Sequence, residues 1–386
     1  VKTFLGKWSV LALSSMLVSA FSVSPALPLM LEHFKNYPKE QVEVLISTPS
    51  FFVLVVLLLN RPLNRLFNEG QMIVTGLLMM SLGGMLPLVA QEYWIVVLSR
   101  MCFGLGVGMI NAKAISMISE RYEGVERIQM LGFRGSSEVV GSAFFTMLVG
   151  QLIKSKWSYA FAIYGFGLIV LLFYLFFVPK KKAPVVNESA SYAPLSPFLR
   201  LQALELALFA GWNVCISSCI SLRIPLIVTE SGLGTPSSAS LVLSLYQLVG
   251  IVSGLAFAPL LKKCGSRLLA LSYLALALST LGIALSSQLV FLAFTALGAG
   301  FVNSVLMTAV FHELAEEMPA PLLNNATAIV LVGCNLGGAL SPYVLKGIGL
   351  LGEHYPFIFS VFAVSCISFA LLAFMTINRR KSDASG

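Results

Sequence analysis

The sequence predicts an all-α membrane protein of twelve transmembrane helices, arranged as two six-helix bundles with pseudo-two-fold symmetry. Three observations predict it. The 386 residues are 57% hydrophobic and only 11% charged, with a mean hydropathy of +0.88, whereas soluble domains carry about 25% charged residues. The apolar residues come in runs of about 20, the length of helix that crosses a bilayer core of roughly 30 Å. The second half also repeats the first weakly: "GVGMINAKAISM" (106–117) aligns with "GAGFVNSVLMTA" (298–309), matching Gly106, Gly108 and Asn111 to Gly298, Gly300 and Asn303.

The twelve runs fall near residues 8–30, 41–60, 71–90, 94–118, 128–153, 157–178, 203–226, 237–261, 268–286, 289–311, 322–345 and 355–377. They are apolar all round. That excludes the one-sided helices of a soluble α/β protein and the alternating strands of a β-barrel. The first run follows the basic stretch "VKTFLGK" and has the small residues of a secretory signal, but it is as long as a full span and eleven more follow. Cys102, Cys215, Cys219, Cys334 and Cys366 lie within spans and Cys264 at a turn, so they read as packing residues rather than a disulfide framework. His33, His312 and His354 are expected in loops, too scattered for a metal site. No metal or cofactor is expected.

With both termini cytoplasmic, sixteen Lys and Arg fall on the inner side and five on the outer. This positive-inside asymmetry orients the chain in the cell inner membrane and accounts for much of the net charge of +8. No nucleic-acid partner is needed to explain it. The expected partners are the bilayer, a small-molecule solute and protons, and a monomer is expected. The first bundle occupies residues 1–178 and the second 201–386, with 179–200 as a cytoplasmic linker rich in Pro, Ser, Ala and Lys. The linker lysines serve orientation, or alternatively hold acidic lipid headgroups.

Four cations remain inside spans: Arg100, Lys113, Arg134 and Arg223. An ionised side chain there costs about 2.5 to 3.5 kcal/mol on insertion scales, so it needs a partner or a wetted cavity. The stretch "LGFRGSSEVVGS" spaces Arg134 and Glu138 i and i+4, on one helix face, where they can pair. Glu138 lies about 15 Å from the cytoplasmic start of its helix. It reads as the only acidic residue deep in any span, since Glu205 sits at a helix mouth and Asp383 in the tail. Loss of solvent and the neighbouring guanidinium act on its carboxyl in opposite directions, so a conformational change that alters the pairing would take up or release a proton. The alternative is a permanent ion pair that fixes helix packing.

Lys113 either snorkels toward the cytoplasm or joins Arg100 and Arg134 in a cavity suited to an anionic or zwitterionic solute. Arg223 is expected at the outer interface, or alternatively adds to that cavity. Asn111, Trp212, Asn213, Gln247, Asn303 and Asn335 offer hydrogen bonds and a stacking face to a solute, or else helix–helix contacts. The glycines of "GLGVG" (104–108) mean close helix packing; no strand precedes them and no Gly-Lys-Ser follows, so they are not a nucleotide loop, which argues against an ATP-driven pump. One deep glutamate and no membrane histidine also argue against an enzyme.

Six-plus-six spans, the basic turns "NRPLNRLFNEG" (60–70) and "APLLKKCGSRL" (258–268), and Arg100 followed by Gly104, Gly106 and Gly108 in the fourth span resemble the major facilitator superfamily over essentially the whole chain. The resemblance implies secondary transport by alternating access, a part in proton coupling for Arg100, and a cytoplasmic gating loop carrying Asn64, Arg65, Lys262, Lys263, Gly265 and Arg267. The chain departs from the loop pattern: Asn64 stands for the family's aspartate, Asn60 and Ala258 replace its first glycines, and Gly70 comes late. Asn64 can therefore latch only by hydrogen bonding. Gly132, Gly135, Gly141 and Gly150 make the fifth span glycine-rich in the manner of family antiporters, though without their proline. The expectation is a proton-coupled transporter that exports a small organic solute. The alternatives are proton-coupled uptake of an organic anion and a non-transporting membrane sensor of the same fold.

Overall fold

The computed structural model describes residues 4–17, 19–122, 124–178, 196–319 and 322–385, and every regular element among them is helical. Most of the expected linker, 179–195, lies outside the described residues. The chain divides into two compact units, Val1–Ser191 with Pro236–Ser244, and Tyr192–Thr235 with Leu245–Gly386.

In the first unit, α1 (Phe4–Ser15) gives way to a 3-10 segment, Ser19–Ala26, and then to α2 (Leu27–His33). The pieces Gly6–Ser15 and Ser19–His33 meet at 51°. Pro25 is one cause of the irregular winding, because it cannot donate to the Phe21 carbonyl; the Ser24 hydroxyl does so instead at 2.6 Å. The next span is α3 (Lys39–Leu58), which carries Pro49 in its interior. The short α4 (Asn60–Leu66) leads to α5 (Glu69–Leu78), opened by a capping box in which Asn68 accepts from the Gln71 amide and Gln71 from the Asn68 amide. A π turn at Met79–Gly83 and a 3-10 turn at Leu86–Leu88 complete that span. Then come α6 (Tyr93–Arg121), α7 (Gly124–Leu152), a 3-10 segment Trp157–Gly165 and α8 (Phe166–Phe177). Within the unit, α6 packs on α3 and α5, α7 on α1 and the Ser19–Ala26 segment, and α8 on α1 and α5.

The second unit begins with α9 (Pro197–Glu230), capped by the Ser196 hydroxyl, which accepts from the Leu199 amide. α10 (Pro236–Cys264) turns through Gly265–Arg267 into α11 (Leu268–Ala284); Gly265 has φ +55°, a conformation that favours glycine. α12 (Leu289–Glu317), α13 (Leu323–Gly349) and α14 (Tyr355–Ser385) follow. α9 packs along α13, and α11 packs on α12 and α14.

Among the described residues nine helical stretches are long and apolar enough to cross a membrane, or ten with the bent first pair counted as one span. The expected eighth and ninth spans run together in that count as Pro236–Ala284. The expected fifth span is α7, which is long enough but is not among them; Arg134, Glu138 and their glycine and serine neighbours make it less apolar. The fourth and tenth spans run further than expected, because charged residues prolong a helix beyond the hydrocarbon layer. His312, expected in a loop, consequently lies within α12, its ring 6.0 Å from that of Phe257.

Candidate functional site

The acid-base pair sits on the side of α7 that meets α1. A methyl group on Gly141 would lie 2.5 Å from the Ser15 carbonyl oxygen, which fixes that contact, and Arg134 and Glu138 precede Gly141 by two turns and one turn. Arg134 Nη2 lies 2.6 Å from Glu138 Oε1, as the i, i+4 spacing predicts. The two side chains keep 17% and 21% exposure, so the pair is not sealed. Open space surrounds the positions that a Cβ would take at Gly132 and Gly135. Arg134 Nε is buried with no hydrogen-bond partner among the described residues.

Arg100 lies in a different place. It is fully buried, and its guanidinium donates from Nε to the Leu45 carbonyl at 3.0 Å, from Nη1 to the Tyr164 hydroxyl at 2.8 Å and from Nη2 to the Ala20 carbonyl at 2.8 Å. The rings of Phe103, Tyr164 and Phe161 stand 4.8, 5.4 and 5.7 Å from its Cζ. These hydrogen-bond acceptors are all neutral. Lys113, half-buried, takes a third position. It follows Gly106 by seven residues, and a methyl on Gly106 would meet the Gly76 carbonyl and the Met80 amide at 2.5 Å, so this side of α6 faces α5. Arg100 thus bonds toward α3 and the first span, while Arg134 pairs within α7. Asn111, half-buried, follows Arg100 by three turns on the same face of α6.

Two further charges are buried. Arg223 is enclosed along with every residue of α9 from Ser218 to Val228. Glu43, near the start of α3, is a fully buried acid.

In the second unit a polar seam joins α9, α10 and α12. Asn213 Nδ2 donates to the Asn303 carbonyl at 3.1 Å, Asn303 Nδ2 to the Tyr246 hydroxyl at 2.6 Å, and the Ser217 and Tyr246 hydroxyls share a bond of 2.7 Å. Gly300 allows this approach, since a methyl there would lie 2.2 Å from the Tyr246 carbonyl oxygen. The amide oxygens of Asn213 and Asn303 are buried without donors among the described residues. Asn213 and Asn303 are therefore brought together, while Tyr246 and Ser217 were not foreseen; their i, i+4 and cross-helix spacing gives no signal in a run of ordinary span residues. Trp212 faces elsewhere: its Nε1 donates to Ser365 at 3.2 Å and its ring stacks on Phe369 at 5.5 Å. Asn335 bonds the Leu331 carbonyl of its own helix at 2.9 Å, and Gln247 is half-buried on α10.

Of the loop residues, Asn64 and Arg65 are exposed on α4, Lys262 and Lys263 are exposed at the end of α10, and Gly265 and Arg267 form the turn that follows. The structural ties at this end of the first unit come from other residues. Glu69, first in α5, pairs with Arg121, last in α6, and Lys7 lies 2.5 Å from Glu126. Helix dipoles favour both Glu69 and Arg121 where they stand. Beside Arg121, burial pushes the Tyr122 hydroxyl above the ordinary tyrosine range and Glu126 adds to that, with Arg121 opposing.

The fold is shared with solved transporters. A bacterial homologue of the human lysosomal transporter Spinster, in an inward-facing and unoccupied conformation, superposes with a TM-score of 0.77 at 15% identity, over 98% of this chain and 99% of that one. A mutant of the peptide transporter POT gives a TM-score of 0.75 at 13% identity, over 97% and 94% of the two chains. The same mutant in complex with alafosfalin gives 0.74 at 14% identity, over 97% and 94%. No curated protein matches the chain. The model of the Major Facilitator Superfamily matches residues 9–342, most of the chain, and the all-helical, apolar architecture agrees with it. The protein belongs to the Major Facilitator Superfamily, a membrane transporter and not an enzyme.

Proposed function

We propose that this chain is a proton-coupled secondary transporter of the inner membrane that exports a small organic solute by alternating access. In this reading it works as a monomer with cytoplasmic termini, and its twelve spans form bundles at 1–178 and 201–386 joined by the linker 179–200. The observation that carries the reading is the Arg134–Glu138 pair, 2.6 Å apart and partly exposed on α7. A pair that serves packing alone needs no water at any stage, whereas a carboxyl that loads and unloads protons must meet water at some step of the cycle. Opening or closing the Arg134–Glu138 pair changes the surroundings of the carboxyl, and with them its affinity for a proton. In the second unit, the buried amide oxygens of Asn213 and Asn303 are acceptors for a donor group of the solute once the seam between α9, α10 and α12 loosens. The glycine-rich fifth span favours export, and the transporters named above share the fold.

The purified protein is tested in liposomes loaded with a pH-sensitive dye, using solutes first selected from a library by thermal stabilisation. Solute entering down its gradient is expected to make the lumen alkaline. An acidified lumen would instead mean uptake by symport. Glu138→Gln should keep solute exchange and lose proton movement; full proton movement in that variant would remove Glu138 from the mechanism.

A further inference from the structure

We infer that Arg100 is a positioning residue that docks α6 onto α3 and onto the bent first span, by donating to the carbonyl that Pro49 leaves free. Pro49 stands four residues after Leu45 within α3. A helical carbonyl normally accepts from the amide four residues on, and proline has none. Leu45 is fully buried, so its carbonyl would be left without a donor, at a cost comparable to a lost hydrogen bond. Arg100 Nε fills that place at 3.0 Å.

The same guanidinium reaches the 3-10 segment of the first span. Nη2 donates to the Ala20 carbonyl and Nη1 to the Tyr164 hydroxyl, both at 2.8 Å, and Tyr164 in turn donates to the Ser19 carbonyl at 3.3 Å. Three donors in one fixed plane serve three elements at once, which the single ammonium of a lysine cannot do.

The glycines after Arg100 continue the docking face. Arg100, Gly104 and Gly108 recur every four residues and meet Leu45, Pro49 and Val56 in turn, so α6 and α3 run side by side in one direction. A methyl on Gly104 would lie 2.7 Å from the Pro49 Cα and carbonyl oxygen, and one on Gly108 2.7 Å from Val56 Cβ. Pro49 therefore supplies both a free carbonyl and a close backbone contact, and the Arg-x-x-x-Gly-x-x-x-Gly stripe fits both. The arginine's charge is held by carbonyl dipoles and aromatic rings instead of by a carboxylate.

The test is a double-mutant cycle read by thermal melting of the purified full chain. Arg100→Met and Arg100→Lys should both lower the melting temperature. Pro49→Ala returns an amide donor to the Leu45 carbonyl, so Pro49→Ala/Arg100→Met should melt above Arg100→Met, whereas Pro49→Ala in the native background should give no such gain. Equal shifts from Pro49→Ala in both backgrounds would overturn the proposal. If Arg100→Met yields no folded protein, Arg100→Lys with and without Pro49→Ala reads the same coupling. Tyr164→Phe removes one of the three guanidinium bonds together with the Ser19 bond and should lower the melting temperature by an amount that stays constant from mildly acid to mildly alkaline solution. A gap that closes as the solution is acidified would place a titrating group in this cluster and also defeat the assignment.

Discussion

A methyl group on Gly337 would sit 2.0 Å from the carbonyl oxygen of Gly211, because α13 and α9 touch backbone to backbone. The contact interleaves two small-residue pairs. A methyl on Gly333 would lie 2.4 Å from the Ala207 oxygen, and one on Gly211 2.7 Å from the Gly333 oxygen. In a membrane such close approach replaces the hydrophobic drive that holds soluble helices together. Gly337→Ala should therefore push the helices apart and destabilise the fold by about 1–3 kcal/mol. Gly254→Ala and Gly347→Ala meet open space and should be neutral or stabilising. Thermal melting of the three variants in one detergent decides the point: equal losses at all three would mean that the contact is not limiting.

Glu69 and Arg121 form an ion pair at 20% and 8% exposure. Removing one partner strands the other charge away from water. Arg121→Gln should cost about 2 kcal/mol, less than for a fully buried pair because Glu69 still reaches solvent. Glu69→Gln/Arg121→Gln should melt above Arg121→Gln. The reversed pair, Glu69→Arg/Arg121→Glu, should recover only part of the loss, since each charge would then oppose its helix dipole.

Trp212 has its N–H on Ser365 and a ring face on Phe369. Trp212→Phe keeps the stack and loses one hydrogen bond, a change of about 1 kcal/mol. Melting should fall slightly while solute selectivity in the liposome assay stays as in the native protein. A selectivity change without loss of stability would return Trp212 to the solute path.

Tyr122 gives a pH signature outside the membrane. Its folded-state ionisation is raised, mainly by burial. In the unfolded chain a tyrosine ionises near 10, while the folded Tyr122 stays neutral there. Its contribution to stability is thus complete below about pH 10 and declines as pH rises through its folded-state value. Melting curves taken across that alkaline range should converge between native protein and Tyr122→Phe if Tyr122 is the cause, and an unchanged gap would exclude it.

The sequence by itself determined the membrane class, the helical fold and the single local charge pair. Composition and run length decide the first two without reference to packing, and the i, i+4 spacing of Arg134 and Glu138 makes their pairing a property of one helix. The glycines at 104, 106 and 108 were also legible as packing residues, although not which helix each would meet: Gly104 and Gly108 face α3 and Gly106 faces α5. Only the tertiary structure decided the partners of residues whose contacts cross helices. Arg100 and Arg134 are both cations in an apolar run, although the sequence offers a local carboxylate only to Arg134. Yet one is enclosed by Leu45, Ala20 and Tyr164, while the other keeps a partly exposed carboxylate partner. The enclosure of Arg223 and Glu43 is of the same kind, since distance from a span's end measures depth in the membrane but not enclosure by neighbouring helices. The role of Pro49 could not be read at all from its own helix, because a proline shows which carbonyl loses its donor but not which distant side chain replaces it.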